Sequence, residues 1–318
     1  MKDWKKISGF ALAAAVLALA GCSKSSTPVS PGGSSPEQSA ASFTLGATPE
    51  LIDEDVLETD DVGLVRSGPA TGGSLAAIHP IRFWRRIDRV TRRFEFAFSD
   101  TDSTGRPTRA VVTVHKTLRG AFVIVAGDSG AEGSSDTTRR IVRKPLLDHW
   151  KRRLLLVRVA RPANDTESGD RTVWKVAATS GVNVVSDLPA SPEAHAHIVS
   201  IRVQSGELDT TLTDPMAFIR LRSMLRVSSG AQVTLTVTTT RPDDVVLLMA
   251  RYGRFRLEPH GDNTYTGTWT VPGDGGIRHF GVNALSHGTL WDDTAAYDSH
   301  AWIFPYAVIG EDLADYRP

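Results

Sequence analysis

The chain has 318 residues, with 36 Lys plus Arg balanced by 36 Asp plus Glu, and a single cysteine. The charge balance excludes the strong basic excess of a nucleic-acid binder. One thiol excludes an internal disulfide and a cysteine-built metal site, and the length suits about two domains.

Lys2, Lys5 and Lys6 precede an uncharged run from Ile7 to Ala20. A basic start and a short apolar run predict an export signal over residues 1–21, since a permanent span needs ~20 apolar residues. Leu19, Ala20, Gly21 and Cys22 close that run. This tetrad resembles the lipobox of bacterial lipoprotein signal peptides. The resemblance implies cleavage before Cys22, a lipid on its sulfur, and a membrane partner reached through that lipid. Ser23, where aspartate would act as a retention signal, implies transfer to the outer membrane of the cell envelope. Two acyl chains or more make such an anchor stable.

Residues 22–43, rich in Ser, Pro and Gly, predict a flexible tether with too little to bury. Residues 44–75 read as an acidic linker, in which Glu50, Asp53, Glu54, Asp55, Glu58, Asp60 and Asp61 occur without a basic residue between them. Residues 76–223 predict an α+β domain. Its opening stretch, "HPIRFWRRIDRVTRRFEF", suits a helix with Ile81, Trp84 and Ile87 as its buried stripe and the arginines outside. Either the acidic and basic segments are two solvated faces, or the acidic one folds back on the arginines. From Arg92 the period becomes two, so Phe94, Phe96 and Phe98 share a strand face. Short strands follow to about residue 205, predicting one N-terminal helix packed on a curved antiparallel sheet. This element order resembles the nuclear-transport-factor-like cone of some exported lipoproteins.

Residues 224–310 predict an all-β sandwich, with 311–318 as a tail. "AQVTLTVTTT", "DVVLLMAR", "NTYTGTWTVP", "IRHFGVNAL" and "HAWIFPYAV" come at sandwich spacing. "GDNTYTGTWTVP" and "GVNALSHGTLWDD" resemble late strands of bacterial immunoglobulin-like or fibronectin type III-like surface modules. That likeness implies a fold and an exposed hairpin, not an activity.

Five sets of residues could carry function. Gly127–Asp128–Ser129–Gly130, with His79 and Asp100 upstream, imitates a serine-protease tetrapeptide, but the spacing does not supply the two barrels a triad needs. Asp100, Asp102, Thr104 and Gly105 imitate the start of a calcium loop. Position twelve is Val111 rather than a bidentate Glu, so a hairpin turn is expected. Glu193, His195 and His197, on one face if extended, are a candidate metal set of two imidazoles and a carboxylate. Trp84, Phe94, Phe96 and Phe98 could line an apolar ligand site. Trp291, Asp292, Asp293 and Tyr297 form a candidate partner-binding tip, because aromatics on a long loop mark recognition surfaces. Tyr265, Trp269, Trp302, Phe304 and Tyr306 are expected in the core. No cofactor is expected.

The first functional expectation is a lipid-anchored envelope protein that binds or scaffolds without catalysis, its partner an envelope protein or polysaccharide. The second is an envelope protein that binds a small apolar ligand in the curved middle sheet. A metal-dependent or hydrolytic enzyme is the third.

Overall fold

The computed structural model describes residues 35–52, 62–63, 78–127, 139–160, 172–187, 195–250 and 253–310. The expected export signal, Cys22, the acidic run 53–61 and the tail 311–318 lie outside the described residues. No helix among those described is long and apolar enough to cross a membrane.

The chain enters through helix α1 (Pro36–Gly46) and a 3-10 turn, Pro49–Leu51. It continues through β1 (Val62–Gly63), β2 (His79–Thr101), β3 (Pro107–Gly127), β4 (Arg139–Ala160) and β5 (Thr172–Ser186). After these come β6 (Ile198–Ser205), β7 (Leu208–Leu212), β8 (Ile219–Arg220), β9 (Leu225–Ser228), β10 (Gln232–Thr239) and β11 (Val245–Ala250). The last elements are β12 (Gly253–Arg256), β13 (Glu258–Pro259), β14 (Thr264–Thr270), β15 (Gly276–Leu285), α2 (His287–Trp291) and β16 (Ser299–Ile309).

The strands form two mostly antiparallel sheets. One has 11 strands in the order β1-β2-β3-β4-β5-β16-β15-β11-β12, with β8 on β5 and β9 on β16; the other has five, β13-β14-β10-β6-β7. The fold is therefore β-rich, with a sandwich-like half where the five-stranded sheet covers one face of β11, β15 and β16. Val233, Leu235, Val237, Tyr265 and Trp269 meet Val246, Leu248, Phe280, Trp302 and Phe304 there. The opposite face of β11, β15 and β16 is also buried. Val245, Leu247, Met249 and Ile303 pack on Phe83, Ile87, Phe122 and Leu146 of the long strands. Burial on both faces explains why β11 is the unbroken apolar run Val245–Met249 rather than an alternating one.

The expected helix over residues 78–93 is instead the first half of β2, a strand of 23 residues paired along its length with β3. Register shifts between Pro80 and Arg82 and between Ile87 and Arg89 break its period of two. Each bulge moves the inward phase by one residue. Across the second shift the inward face passes from Phe83, Arg85 and Ile87 to Val90, Arg92 and Phe94, so its apolar members fall at intervals of four, three and four, the spacing of a helix face. At the second shift Gly120 opposes Ile87, and a Cβ there would lie 1.9 Å from the Arg86 carbonyl oxygen.

A helix does pack on the sheet, but it comes from the stretch expected to be tether. Residues 36–46 form α1, capped by the Ser35 hydroxyl, which accepts the Gln38 amide at 3.2 Å, with Pro36 in the first turn. Ala41 and Leu45 pack with Leu51, Ile52, Val112, Leu154, Leu156 and Trp174. The division expected at residue 224 also cuts across the pairing. β6 joins β10 in the smaller sheet, and β16 joins β5 through His300–Ile303.

Candidate functional site

The pairing of β5 with β16 stops abruptly. Val182–Val185 are bonded to β16, while Thr172–Val176 continue along β4 alone. Beyond the junction β16 runs on beside β9, with Ala307 opposite Arg226. The sheet thus forks. Two residues at the branch point allow it. β4 and β5 change register between Arg152 and Leu154, and the Ser180 hydroxyl accepts the Arg153 amide at 2.8 Å. Gly181 then lets the prongs touch, because a Cβ on it would fall 2.7 Å from the Ile303 oxygen and 2.9 Å from the Phe304 ring.

The space between the prongs is a cavity of about 1130 Å³, at the upper end of what small-molecule sites enclose. Five consecutive residues of β5, Thr172–Val176, line it, as a strand does only when its edge is unpaired. Leu221, Met224, Ile277 and Ala307 supply the apolar wall opposite, and α1 forms the roof with Ala40, Phe43, Thr44 and Ala47. The Thr44 hydroxyl bonds to the Trp174 carbonyl oxygen at 3.3 Å, tying the roof to the open edge of β5. Phe43 is 81% exposed, a large apolar ring left in water at the mouth. Arg158, Lys175, Arg226 and Glu50 are the charged groups around it. Arg158 is committed to Glu37 in an ion pair and lies over the Trp174 ring.

The expected apolar ligand set is divided by the structure. Phe94, Phe96 and Phe98 form a ladder with centroid spacings of 6.5 and 6.2 Å that ends on Trp174. Phe94 lines a separate, smaller cavity of about 240 Å³ with Leu45, Ile52 and Arg92. Trp84 points to the other face of β2, under the Arg82 guanidinium, and roughly 33 Å along the strand from Phe94 at ~3.3 Å per residue. It cannot share a site with the phenylalanines, because the alternation it was assigned to was helical.

The expected partner-binding tip is docked rather than free. Tyr297 is buried, and its hydroxyl accepts from Arg85 at 2.7 Å. Trp291 is partly buried against the core of the long strands and stacks on His287 at 4.6 Å. Its carbonyl oxygen accepts the Ile78 amide at 2.9 Å. Asp293 pairs with Arg140. Lys144 donates to the carbonyl oxygens of Gly288 and Asp292 at 2.9 and 2.6 Å. Burial lowers the Lys144 ammonium to about 8, against the pull of Asp292 and Asp293. The long strands curl over this loop, a contact between segments some 150 residues apart that the loop's own composition does not announce.

Of the candidate metal set, Glu193 lies outside the described residues. His195 is buried with Nδ1 3.5 Å from Asp298 Oδ1, whereas His197 stacks on His300 at 4.5 Å. The two imidazoles thus have different environments. Among the described residues no group of three or more His, Cys, Asp or Glu could hold a metal ion. His300 is held neutral: its Nδ1 accepts the Ile198 amide at 2.8 Å, and burial lowers its pKa to about 3.

The remaining expectations concern single turns. Asp102 Oδ1 accepts from Thr104 N, Thr104 Oγ1 and Arg106 N at 2.8, 2.6 and 3.0 Å, making the β2–β3 hairpin turn. His79 stands opposite Gly127, but Asp100 is near the far end of the same strand, roughly 70 Å away at ~3.3 Å per residue. Asp128, Ser129 and Gly130 lie outside the described residues.

Compared with known proteins, the chain matches no family model, no curated protein and no solved structure. The cavity residues on α1, β5, β9 and β16 were missed by sequence reasoning. The signal that could have found the roof is Ser35-Pro36-Glu37-Gln38, a capping-box sequence with Pro at the first helical position.

Proposed function

We propose that this is a lipid-anchored protein of the bacterial cell envelope, held at the outer membrane through Cys22, that binds an apolar ligand in the cavity at the sheet fork. The observation that carries the binding role is the cavity itself. It is a half-open cleft of about 1130 Å³ with a largely apolar lining, the kind of concave apolar space in which small molecules bind. It opens where a continuous sheet has been divided, so its walls are strands fixed in two cores and its roof is a single helix. Scaffolding by the β-rich modules alone gives no reason for such a space.

The anchoring half rests on Leu19, Ala20, Gly21, Cys22 and Ser23. The C-terminal strands are read as an immunoglobulin-like module that carries the fork. Strand order supports this reading: β13-β14-β10-β6 in one sheet and β11-β15-β16 in the other follow the D-E-B-A and C-F-G orders of that fold.

Titration of the neutral fluorophore N-phenyl-1-naphthylamine into the full chain carrying Cys22→Ser tests the binding role without an attached lipid. Saturable enhancement at one site is expected. Ala307→Trp, which places an indole in the cavity, should remove most of it. A non-saturating signal, or one that Ala307→Trp leaves intact, contradicts the reading.

A further inference from the structure

We infer that the fork cavity takes an amphiphile with one anionic head, its chain between the prongs and its head held at the mouth by Lys175 and Arg226. This rests on the apolar-ligand reading above and adds the ligand's chemical class.

Among the described residues the charged groups lining the cavity are three cations and one carboxylate. Arg158 is already neutralised by Glu37, which leaves Lys175 and Arg226 against Glu50. Each cation belongs to a different prong. Lys175 is on the open edge of β5, and Arg226 is on β9 directly opposite Ala307 of β16. Both side chains are exposed. The Arg226 guanidinium donates to the Arg222 carbonyl oxygen at 3.3 Å, a neutral acceptor, and no described carboxylate is in an ion pair with it.

A purely apolar ligand would not need two cations where the cavity meets water. An amphiphile would, because its chain gains by leaving water while its head keeps hydration and adds charge-assisted hydrogen bonds. The exposed Phe43 ring at the same mouth fits the first methylenes below such a head. A cationic amphiphile meets repulsion from both prongs. A neutral one enters the same space without the electrostatic gain.

The test displaces N-phenyl-1-naphthylamine from the Cys22→Ser full chain with laurate and, separately, with dodecanol, which has the same chain and an uncharged head. Laurate should displace at roughly tenfold lower concentration, since one charge-assisted contact is worth about that factor. Lys175→Glu with Arg226→Glu should erase that preference and leave dodecanol unchanged, and added salt should narrow it. Equal displacement by both compounds in the parent chain overturns the head assignment while leaving the apolar cavity standing. Displacement by neither overturns the cavity reading and the head assignment with it.

Discussion

The Arg85 guanidinium and the Tyr297 hydroxyl, 212 positions apart in the chain, meet at 2.7 Å inside the protein. Asp148 completes the group, with Oδ2 3.4 Å from Arg85 Nη1 and all three residues buried. β2, β4 and the loop before β16 each supply one member, so the group reports whether the long strands are closed over the C-terminal half. Asp148→Ala leaves a buried guanidinium without this carboxylate and should cost about 3–5 kcal/mol. Tyr297→Phe removes the hydroxyl that accepts from Arg85 at 2.7 Å and donates to Asp148 at 3.4 Å, and should cost about 1.5–3 kcal/mol. Urea unfolding measures both, and the double variant should lose less than their sum. Additive losses would mean that the three residues do not act together.

Gly181 sets the branch point of the sheet. Gly181→Val should destabilise by about 1–3 kcal/mol through overpacking against the Ile303 carbonyl and the Phe304 ring. It should also weaken binding of N-phenyl-1-naphthylamine, because the prongs must separate to admit the side chain. Unchanged stability would show that the prongs do not touch there. A fall in stability with binding intact would separate the branch from the cavity.

Asp244 supplies a pH test. It is 4% exposed, and burial, with the Asp243 carboxylate beside it, raises its pKa to about 7. Between pH ~4 and 7 the folded carboxyl therefore holds a proton that the unfolded chain has lost. Its contribution to stability is complete below that window, declines as pH rises through it, and is gone above about 7. Asp244→Asn cannot lose a proton. Relative to the parent it should gain stability steadily from pH ~4 to 7 and then level off, the gain across that window being on the order of 4 kcal/mol. Unfolding free energies across that range measure the difference, and a pH-independent difference would show that Asp244 is ionised normally.

Much of the fold was legible where burial follows a simple period. β10 alternates Val233, Leu235 and Val237 inward against threonines, and Trp269 is buried as its strand phase predicts. β2 was misread for a physical reason. Its shift between Ile87 and Arg89 breaks a period of two, so the inward apolar residues Phe83, Ile87, Val90 and Phe94 fall at helical spacing with Arg85 and Arg92 between them, and only pairing with β3 tells the cases apart. α1 was hidden by composition, since Ser, Pro and Ala surround the four capping residues that start it. The cavity had no local signature. Lys175 and Arg226 are ordinary exposed cations in sequence, and what joins them is a fork whose branch point is Ser180 and Gly181. The loop around Trp291 was read as free because its cover, the start of β2 and β4, is remote in the chain.

The proposed anchoring rests on one sulfur. In cells fed an alkyne-tagged fatty acid, Cys22→Ser should abolish labelling and release the protein from the membrane fraction. Labelling that survives the substitution would contradict attachment of the lipid at Cys22.

The central claim is that an apolar chain lies between the two prongs, and photolabelling reads its position directly. A fatty acid bearing a diazirine near the end of its chain, irradiated with the Cys22→Ser full chain and mapped by peptide mass spectrometry, should attach to three separate segments. These are residues 40–48 of the roof, 172–176 of β5 and 307–309 of β16. Excess unlabelled laurate should suppress all three together. Labelling confined to the Phe94 side of α1, or spread over the surface and insensitive to laurate, would contradict the account.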